Sequence, residues 1–121
     1  QDPVQAQRLY LLEGEILSRV ERYQDAFDLY TEMLGREPGN HDVLYARSLV
    51  AEKLDRLDLL EADLRTILNE KPDDVRALNA LGYTLADRTD RYEEALGYIE
   101  QAAAQGEWYD LILRAMQNHH R

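Results

Sequence analysis

The strongest constraint on the fold of this chain is a pattern that recurs every 34 residues. Pro38 and Pro72 are 34 residues apart, and each follows a charged pair and precedes a turn-forming pair. The small residues Gly14, Ser48 and Gly82 keep the same spacing. Because self-similarity at a period of about 20 to 50 residues is typical of repeat architectures, we predict an array of small stacked units.

Each unit contains two predicted helices. Apolar residues recur at helical spacing from end to end, and no segment shows the strict alternation of a strand. In the first unit, Tyr23, Ala26, Phe27 and Tyr30 form the one-sided stripe of a half-buried helix. We therefore predict one all-α domain over residues 1–121, with units at about 7–40, 41–74 and 75–107. The predicted helices cover about residues 3–20, 23–36, 41–54, 57–70, 75–88, 91–105 and 107–118.

The spacing slips by one residue in the third unit. The turns before the second helices begin at Glu21, Asp55 and Asp90, which are 34 and then 35 residues apart. Loops accept insertions more readily than the elements they connect. We therefore predict that the inserted residue lies in the loop 88–91, so that the helices are unchanged.

The recurring small residues predict close helix packing. A glycine inside a helix costs about 1 kcal/mol relative to alanine, so its return at a fixed position indicates a packing role. Two helices that pack closely need a point at which the side chains are short. We expect Gly14, Ser48 and Gly82 to face, in the partner helices, Ala26, Leu60 and Ala95.

From residue 7 to about 104, the repeated pattern of small residues, aromatic residues and prolines resembles that of the tetratricopeptide repeat family. Pro72, Leu81-Gly82 and the run 92–96 follow the family pattern. The first unit matches it at Tyr10, Gly14, Tyr23, Ala26, Tyr30 and Pro38. The resemblance implies a right-handed superhelical α-solenoid of three helix-turn-helix repeats plus a C-terminal capping helix. Arg47 and Leu60 depart from the pattern, so we expect the helices of the second pair to sit farther apart.

A narrower likeness concerns residues 77–88. This segment is similar to parts of bacterial outer-membrane lipoproteins with tetratricopeptide repeats that act as adaptors for carboxyl-terminal processing proteases. The likeness implies a bacterial source and a periplasmic or outer-membrane location. The other location consistent with the sequence is the bacterial cytoplasm. The first residues show neither an initiating Met nor a targeting pattern, so we expect a piece of a longer protein.

Composition excludes several classes of protein. The chain has 24 acidic and 14 basic residues and a net charge of −10, which argues against a nucleic-acid partner because phosphate binding depends on Lys and Arg. The sequence has no uncharged apolar run of about 18 residues, so this segment is not expected to insert into a membrane. It has no Cys, which excludes disulfides and zinc sites with thiolate ligands.

The resemblance implies a protein or peptide partner in a concave groove formed mainly by the first helices. The predicted groove residues are Arg8, Leu11, Arg19, Tyr45, Leu49, Lys53, Arg76, Asn79 and Tyr83. The family's two-carboxylate clamp is absent, because the matching positions hold Leu11, Glu15 and Ala46, with only Arg76 and Ala80 in the third repeat. An apolar segment with an acidic flank is the predicted ligand. The alternative is that Tyr45 and Tyr83 only pack against neighbouring helices.

The C-terminal segment has three interpretations. Trp108, Leu111, Ile112, Ala115 and Met116 continue the helical stripe, so a seventh helix could cover the end of the third pair. Alternatively, the segment is a truncated fourth repeat. The third interpretation is a self-association surface, in which Trp108 inserts into a second copy to form a homodimer. The second candidate function is accordingly a self-associating structural segment of a larger protein.

No enzyme class is predicted. His41, His119 and His120 are the only histidines, and they form no metal-ligand pattern. The acidic pairs at 73–74 and 93–94 begin helices, where carboxylates interact favourably with the helix dipole. We therefore predict no catalytic residue, metal or cofactor. The predicted function is an adaptor or scaffold that binds another protein.

Overall fold

The computed structural model describes residues 2–119, except for the side chains of residues 108, 109 and 119. The prediction of an all-α fold is confirmed, because the described residues form six helices joined by short turns and contain no strand. The chain divides into two compact units, Gln1–Glu70 and Lys71–Arg121. The helices are α1 (Pro3–Arg19), α2 (Tyr23–Arg36), α3 (His41–Lys53), α4 (Leu57–Glu70), α5 (Val75–Arg88) and α6 (Tyr92–His119).

Side-chain caps fix the starts of three helices. The Asn40 side chain accepts a hydrogen bond from the Val43 amide at 3.2 Å, and the Asp74 side chain accepts one from Ala77 at 3.0 Å. Asp2 caps α1, with Pro3 in the first turn where a missing N–H costs nothing. Two of these caps follow the residues that close a repeat, so the 34-residue period sets where α3 and α5 begin.

The turns inside the first two repeats share a left-handed residue. Glu21 and Asp55 have φ values of 62° and 58°. The residue after each donates its amide to a carbonyl five residues back: Arg22 to Leu17 and Arg56 to Ala51, both at 2.8 Å. This hydrogen-bond pattern ends α1 and α3 as a Schellman motif does.

The third repeat accommodates its inserted residue differently from the prediction. The connections 20–22, 54–56 and 89–91 have the same length, and it is α5 that is one residue longer than α3. Thr89 is extended rather than left-handed, and its hydroxyl accepts a hydrogen bond from the Arg91 amide at 3.0 Å. The predicted loop insertion is therefore corrected: Arg88 extends the helix, and a threonine turn replaces the left-handed residue.

The predicted seventh helix is not a separate element. Residues 107–118 are helical, as predicted, but they continue α6, which runs for 28 residues. The helix continues through Gly106 for two reasons. Glu107 stands where a proline closes the earlier repeats. Gly106 does not adopt the positive φ at which helices commonly end. Leu111 and Met116 are more than half exposed, so this segment does not cap the third pair. The Trp108 side chain lies outside the described residues, and its role in a homodimer stays a prediction.

Gly14 and Gly82 pack against longer side chains than predicted. A Cβ on Gly14 would overlap the Tyr30 side chain, which supplies its three nearest atoms. A Cβ on Gly82 would lie 2.8 Å from Cδ1 of Ile99 and 3.1 Å from the Ala95 carbonyl oxygen. The predicted packing role is therefore present, but in α2 the close partner lies one helical turn beyond the expected alanine.

Arg47 joins three helices of the first unit. Its Nε and Nη2 donate to both carboxylate oxygens of Asp63 on α4, at 2.8 and 2.7 Å. Its Nη1 donates to the Thr31 hydroxyl on α2 at 3.1 Å, and its guanidinium lies 5.3 Å from the centre of the Phe27 ring. The Asp63 side chain is only 6% exposed. A basic residue at an aliphatic position is thus accommodated by a buried carboxylate.

Candidate binding groove

A cavity of about 430 Å³ opens on the first unit. Residues of α1 and α3 form most of its lining, and α2 contributes Tyr23 and Tyr30. We call this cavity the α1–α3 groove. It is lined by Leu11, Glu15, Ser18, Arg19, Tyr23, Tyr30, Tyr45, Ala46, Leu49, Val50 and Lys53.

The groove combines apolar surface with charges of both signs. Leu11 and Tyr45 are half-buried, and Leu49 is 45% exposed, so apolar surface is available to a ligand. Arg19 donates to Glu15 at 2.9 Å, and both side chains are largely exposed. Lys53 adds a cation from α3. A site of this composition suits a ligand with an apolar anchor and a charged neighbour.

Tyr30 is the most buried tyrosine of the groove. It is 3% exposed, and its ring packs against the backbone at Gly14. Burial raises the pKa of the Tyr30 phenol above 10.0, and the nearby Glu15 carboxylate raises it further. Neutral Tyr30 is therefore the form that the folded unit favours.

This raised pKa predicts a loss of stability in alkaline solution. A phenol whose pKa is higher in the folded state contributes stability that is complete below pH 10.0 and is lost as the pH rises through the folded value. We expect the free energy of unfolding to decrease more steeply above pH 10.0 in the wild type than in Tyr30→Phe. Denaturant unfolding at a series of alkaline pH values tests this, and parallel curves would contradict it.

The structure places the nine predicted groove residues in three settings. Five of them, Leu11, Arg19, Tyr45, Leu49 and Lys53, line the α1–α3 groove. Arg8 is exposed on α1 but does not line it. In the second unit, Arg76, Asn79 and Tyr83 are exposed on α5 at the i, i+3 and i+7 spacing of one helical face. Tyr83 is 69% exposed, so its ring does not pack into the unit that carries it.

Sequence reasoning missed the tyrosines of α2. Tyr23 and Tyr30 line the groove, but their spacing matched the core stripe of the second helix, and they were expected only to pack. Tyr30 has two roles, because it is buried in the core and also forms part of the groove lining. The signal that could have found it is Gly14, because a glycine opposite a tyrosine leaves space for the ring at the groove.

Among the described residues, no group of three or more histidine or acidic side chains could hold a metal ion. No helix in the described part of the chain is long and apolar enough to cross a membrane.

Comparison with known proteins gives one sequence relative and several structures. No protein-family model matches the chain. The TPR repeat-containing protein PA4667 of Pseudomonas aeruginosa is 45% identical over 102 residues, which are 84% of this chain and 17% of that protein. A crystal structure of MamA is similar with a TM-score of 0.76 and 20% identity, covering 84% of this chain and 58% of MamA. The MamA RS-1 ArsTM double mutant is similar with a TM-score of 0.75 and 14% identity, covering 84% and 56%.

Proposed function

The chain is a tetratricopeptide-repeat domain, and we propose that it serves as a non-catalytic adaptor that holds an apolar peptide segment in the α1–α3 groove. The observation that carries the proposal is the groove itself, whose lining is mostly apolar and aromatic and is partly exposed. Stacked helical repeats generally present extended surfaces to other proteins. The chain spans 17% of the length of its Pseudomonas relative.

The apolar anchor of the ligand would lie among Leu11, Tyr45 and Leu49. Tyrosine is enriched among the residues that dominate binding energy, because it buries a large surface with few rotatable bonds. Tyr45 is half-buried in the free domain, so little conformational entropy remains to be lost when a ligand covers it. A large apolar side chain inserted here would displace water from the groove.

The charges at the groove favour an acidic residue next to that anchor. Lys53 and Arg19 are the cations of the lining, and Glu15 is its only acid. The Arg19–Glu15 pair is exposed, and such pairs contribute about 0 to 1 kcal/mol, so a ligand carboxylate can compete for Arg19 at small cost. The preference for an acidic flank should weaken at high salt.

Peptide selection followed by affinity measurement tests the groove. We expect short peptides selected on the immobilised domain to combine a large apolar residue with a neighbouring Asp or Glu. Alanine at Tyr45 should weaken the selected peptides by about 1–3 kcal/mol, or roughly 5- to 150-fold in dissociation constant. Fluorescence anisotropy with labelled peptides measures this change.

Three further variants define the result. Tyr92→Ala is the matched control, because it removes an exposed tyrosine that lies outside the predicted groove. Lys53→Glu should reduce binding of acidic peptides more than binding of neutral ones. Tyr83→Ala tests whether the predicted residues of α5 take part. Equal affinities for the wild type and Tyr45→Ala, with both proteins folded, would remove the α1–α3 groove as the binding site.

A further inference from the structure

The length of the α1–α3 groove matches a short stretch of extended peptide. Three consecutive helices of the first unit enclose the groove, and its lining runs from Leu11 to Arg19 on α1 and from Tyr45 to Lys53 on α3. The rise over eight residues of an α-helix is about 12 Å. A chain in the polyproline II conformation rises about 3.1 Å per residue, so about four of its residues span the groove.

The volume of the groove favours such an extended chain over a helical ligand. An α-helix with its side chains is about 10–12 Å wide, so a length of about 12 Å occupies at least about 900 Å³. The groove has a volume of about 430 Å³. An extended chain also presents backbone carbonyls that have no internal hydrogen bond. The lining offers donors to them in the hydroxyls of Ser18 and Tyr23 and the ammonium of Lys53.

Half-buried tyrosines lie at the two ends of the groove. The connections 20–22 and 37–40 are short, so α2 runs antiparallel to α1 and α3, on which it packs. Tyr23, the first residue of α2, therefore lies near the C-terminal ends of α1 and α3, whereas Tyr45 lies where the lining of α3 begins. Tyr30 packs on Gly14 and is almost completely buried, so it presents little surface to a ligand. The groove thus has one partly exposed aromatic ring at each end.

The separation of these two rings suits the repeat of a polyproline II helix. This helix has three residues per turn, so its residues i and i+3 lie on the same face about 9 Å apart. Two ligand side chains with this spacing reach both ends of a groove that is about 12 Å long. Aromatic-lined grooves recognise proline-rich segments in this conformation, because proline holds the chain in it before binding.

The cations of the groove lie at the Tyr23 end. Arg19 and Lys53 are the last lining residues of α1 and α3, so both are near the start of α2. Glu15 is one turn earlier on α1 and pairs with Arg19 at 2.9 Å. A ligand carboxylate is therefore favoured at the Tyr23 end, which fixes where the acidic flank of the ligand lies relative to its apolar anchor.

We propose that the α1–α3 groove binds a proline-containing segment in the polyproline II conformation. Its apolar anchor lies beside Tyr45, and a proline three residues from the anchor packs on the Tyr23 ring. An acidic residue next to that proline pairs with Arg19 or Lys53. This inference rests on the proposed function, because it names the ligand class of the same groove. A proline-rich segment has few conformations to lose, so a short one binds at a smaller entropic cost than a flexible peptide.

Fluorescence anisotropy with four labelled peptides tests the ligand class. Two have the cores Leu-Pro-Pro-Pro-Asp and Asp-Pro-Pro-Pro-Leu, which present the anchor, the proline and the acid in the two chain directions. The other two replace the three prolines with alanines and keep the anchor and the acid. We expect at least one proline core to bind the wild type roughly tenfold more tightly than its alanine counterpart.

Variants at Tyr23 locate the proline contact. Tyr23→Leu removes the ring, and the second repeat already has the half-buried Leu57 at this position, so the helix pair should keep its packing. This variant should prefer the proline core by no more than about threefold, whereas Tyr23→Phe should keep the wild-type preference. Tyr92→Leu is the matched control, because Tyr92 holds the same repeat position in the second unit. Circular dichroism checks that each variant keeps its helices.

A charge reversal tests the position of the acid without touching the core. Lys53 is exposed, so Lys53→Glu should fold like the wild type. The wild type should bind the proline core with Asp more tightly than the same core with Lys in place of Asp, and Lys53→Glu should reverse this order. An unchanged order would overturn the placement of the acid at the Tyr23 end, and with it the proposal.

Two further results would overturn the inference. One is that neither proline core binds more tightly than its alanine counterpart, which includes an absence of binding up to about 1 mM. The other is a proline preference that persists in folded Tyr23→Leu, because the proline then packs elsewhere. The proposed function fails on a different observation, which is that Tyr45→Ala leaves the affinity of selected peptides unchanged. Selected peptides that depend on Tyr45 but contain no proline would therefore refute the ligand class alone.

Discussion

Replacing Asp63 with alanine is expected to lower the free energy of unfolding of the first unit by about 3–5 kcal/mol. Asp63 is buried on α4 and accepts two hydrogen bonds from Arg47 of α3. Its removal leaves a guanidinium that is only 21% exposed without its carboxylate partner. A buried charge that loses its partner retains its desolvation cost, and this cost is larger than the net value of the pair.

Urea unfolding followed by circular dichroism measures the loss. Asp25→Ala is the matched control, because Asp25 pairs with Arg22 at 2.7 Å but both side chains are more than half exposed. Exposed pairs contribute about 0 to 1 kcal/mol, so the control should lose far less than Asp63→Ala. Similar losses in the two variants would show that burial does not set the value of the Arg47–Asp63 pair.

The double variant Arg47→Met, Asp63→Leu separates the cost of an unpaired charge from the value of the pair. Replacing a buried ion pair with apolar residues of similar volume is often neutral or stabilising. We therefore expect the double variant to be more stable than Asp63→Ala and close to the wild type. Arg47 also contacts Thr31 and Phe27, so the Met side chain must fill the space above the Phe27 ring. A double variant as unstable as Asp63→Ala would indicate that the hydrogen bonds themselves hold α2, α3 and α4 together.

The sequence was sufficient to predict the positions of most helices. Pro38 and Pro72 mark the ends of repeats, and the capping residues Asn40 and Asp74 follow them at the same spacing. The pairing of Arg47 with Asp63 was not predicted, because these residues are on different helices and nothing local links them. Sequence reasoning therefore noted Arg47 as a departure from the pattern without finding the carboxylate that accommodates it.

The end of the third repeat was predicted less well for a local reason. A break was predicted between about residues 105 and 107, but a glycine commonly ends a helix by turning left-handed, and Gly106 does not adopt positive φ. The groove shows a similar division. Leu11, Tyr45 and Leu49 were predicted as groove residues from the family resemblance, whereas Tyr30 was assigned only to the core. A residue can serve both roles, and periodicity does not distinguish them.

Gly14→Ala is expected to destabilise the first unit, although alanine is the better helix former. The new Cβ would overlap the Tyr30 ring, and overpacking of a core costs about 1–3 kcal/mol. The gain in helix propensity is about 0.5–1 kcal/mol and does not offset this cost. Gly35→Ala is the matched control, because a Cβ at this position of α2 meets no atom within 4 Å. We expect the control to raise the free energy of unfolding by about 0.5–1 kcal/mol.

The second repeat shows how the overlap can be relieved. It has Ser48 and Leu64 at the positions of Gly14 and Tyr30, and both are fully buried. The double variant Gly14→Ala, Tyr30→Leu should therefore recover much of the stability that Gly14→Ala loses, as measured by urea unfolding. Because Tyr30 lines the α1–α3 groove, its displacement in Gly14→Ala should also weaken peptide binding. A Gly14→Ala protein as stable as Gly35→Ala would mean that the ring moves aside freely, and the close packing of α1 on α2 would then not depend on a residue without a side chain.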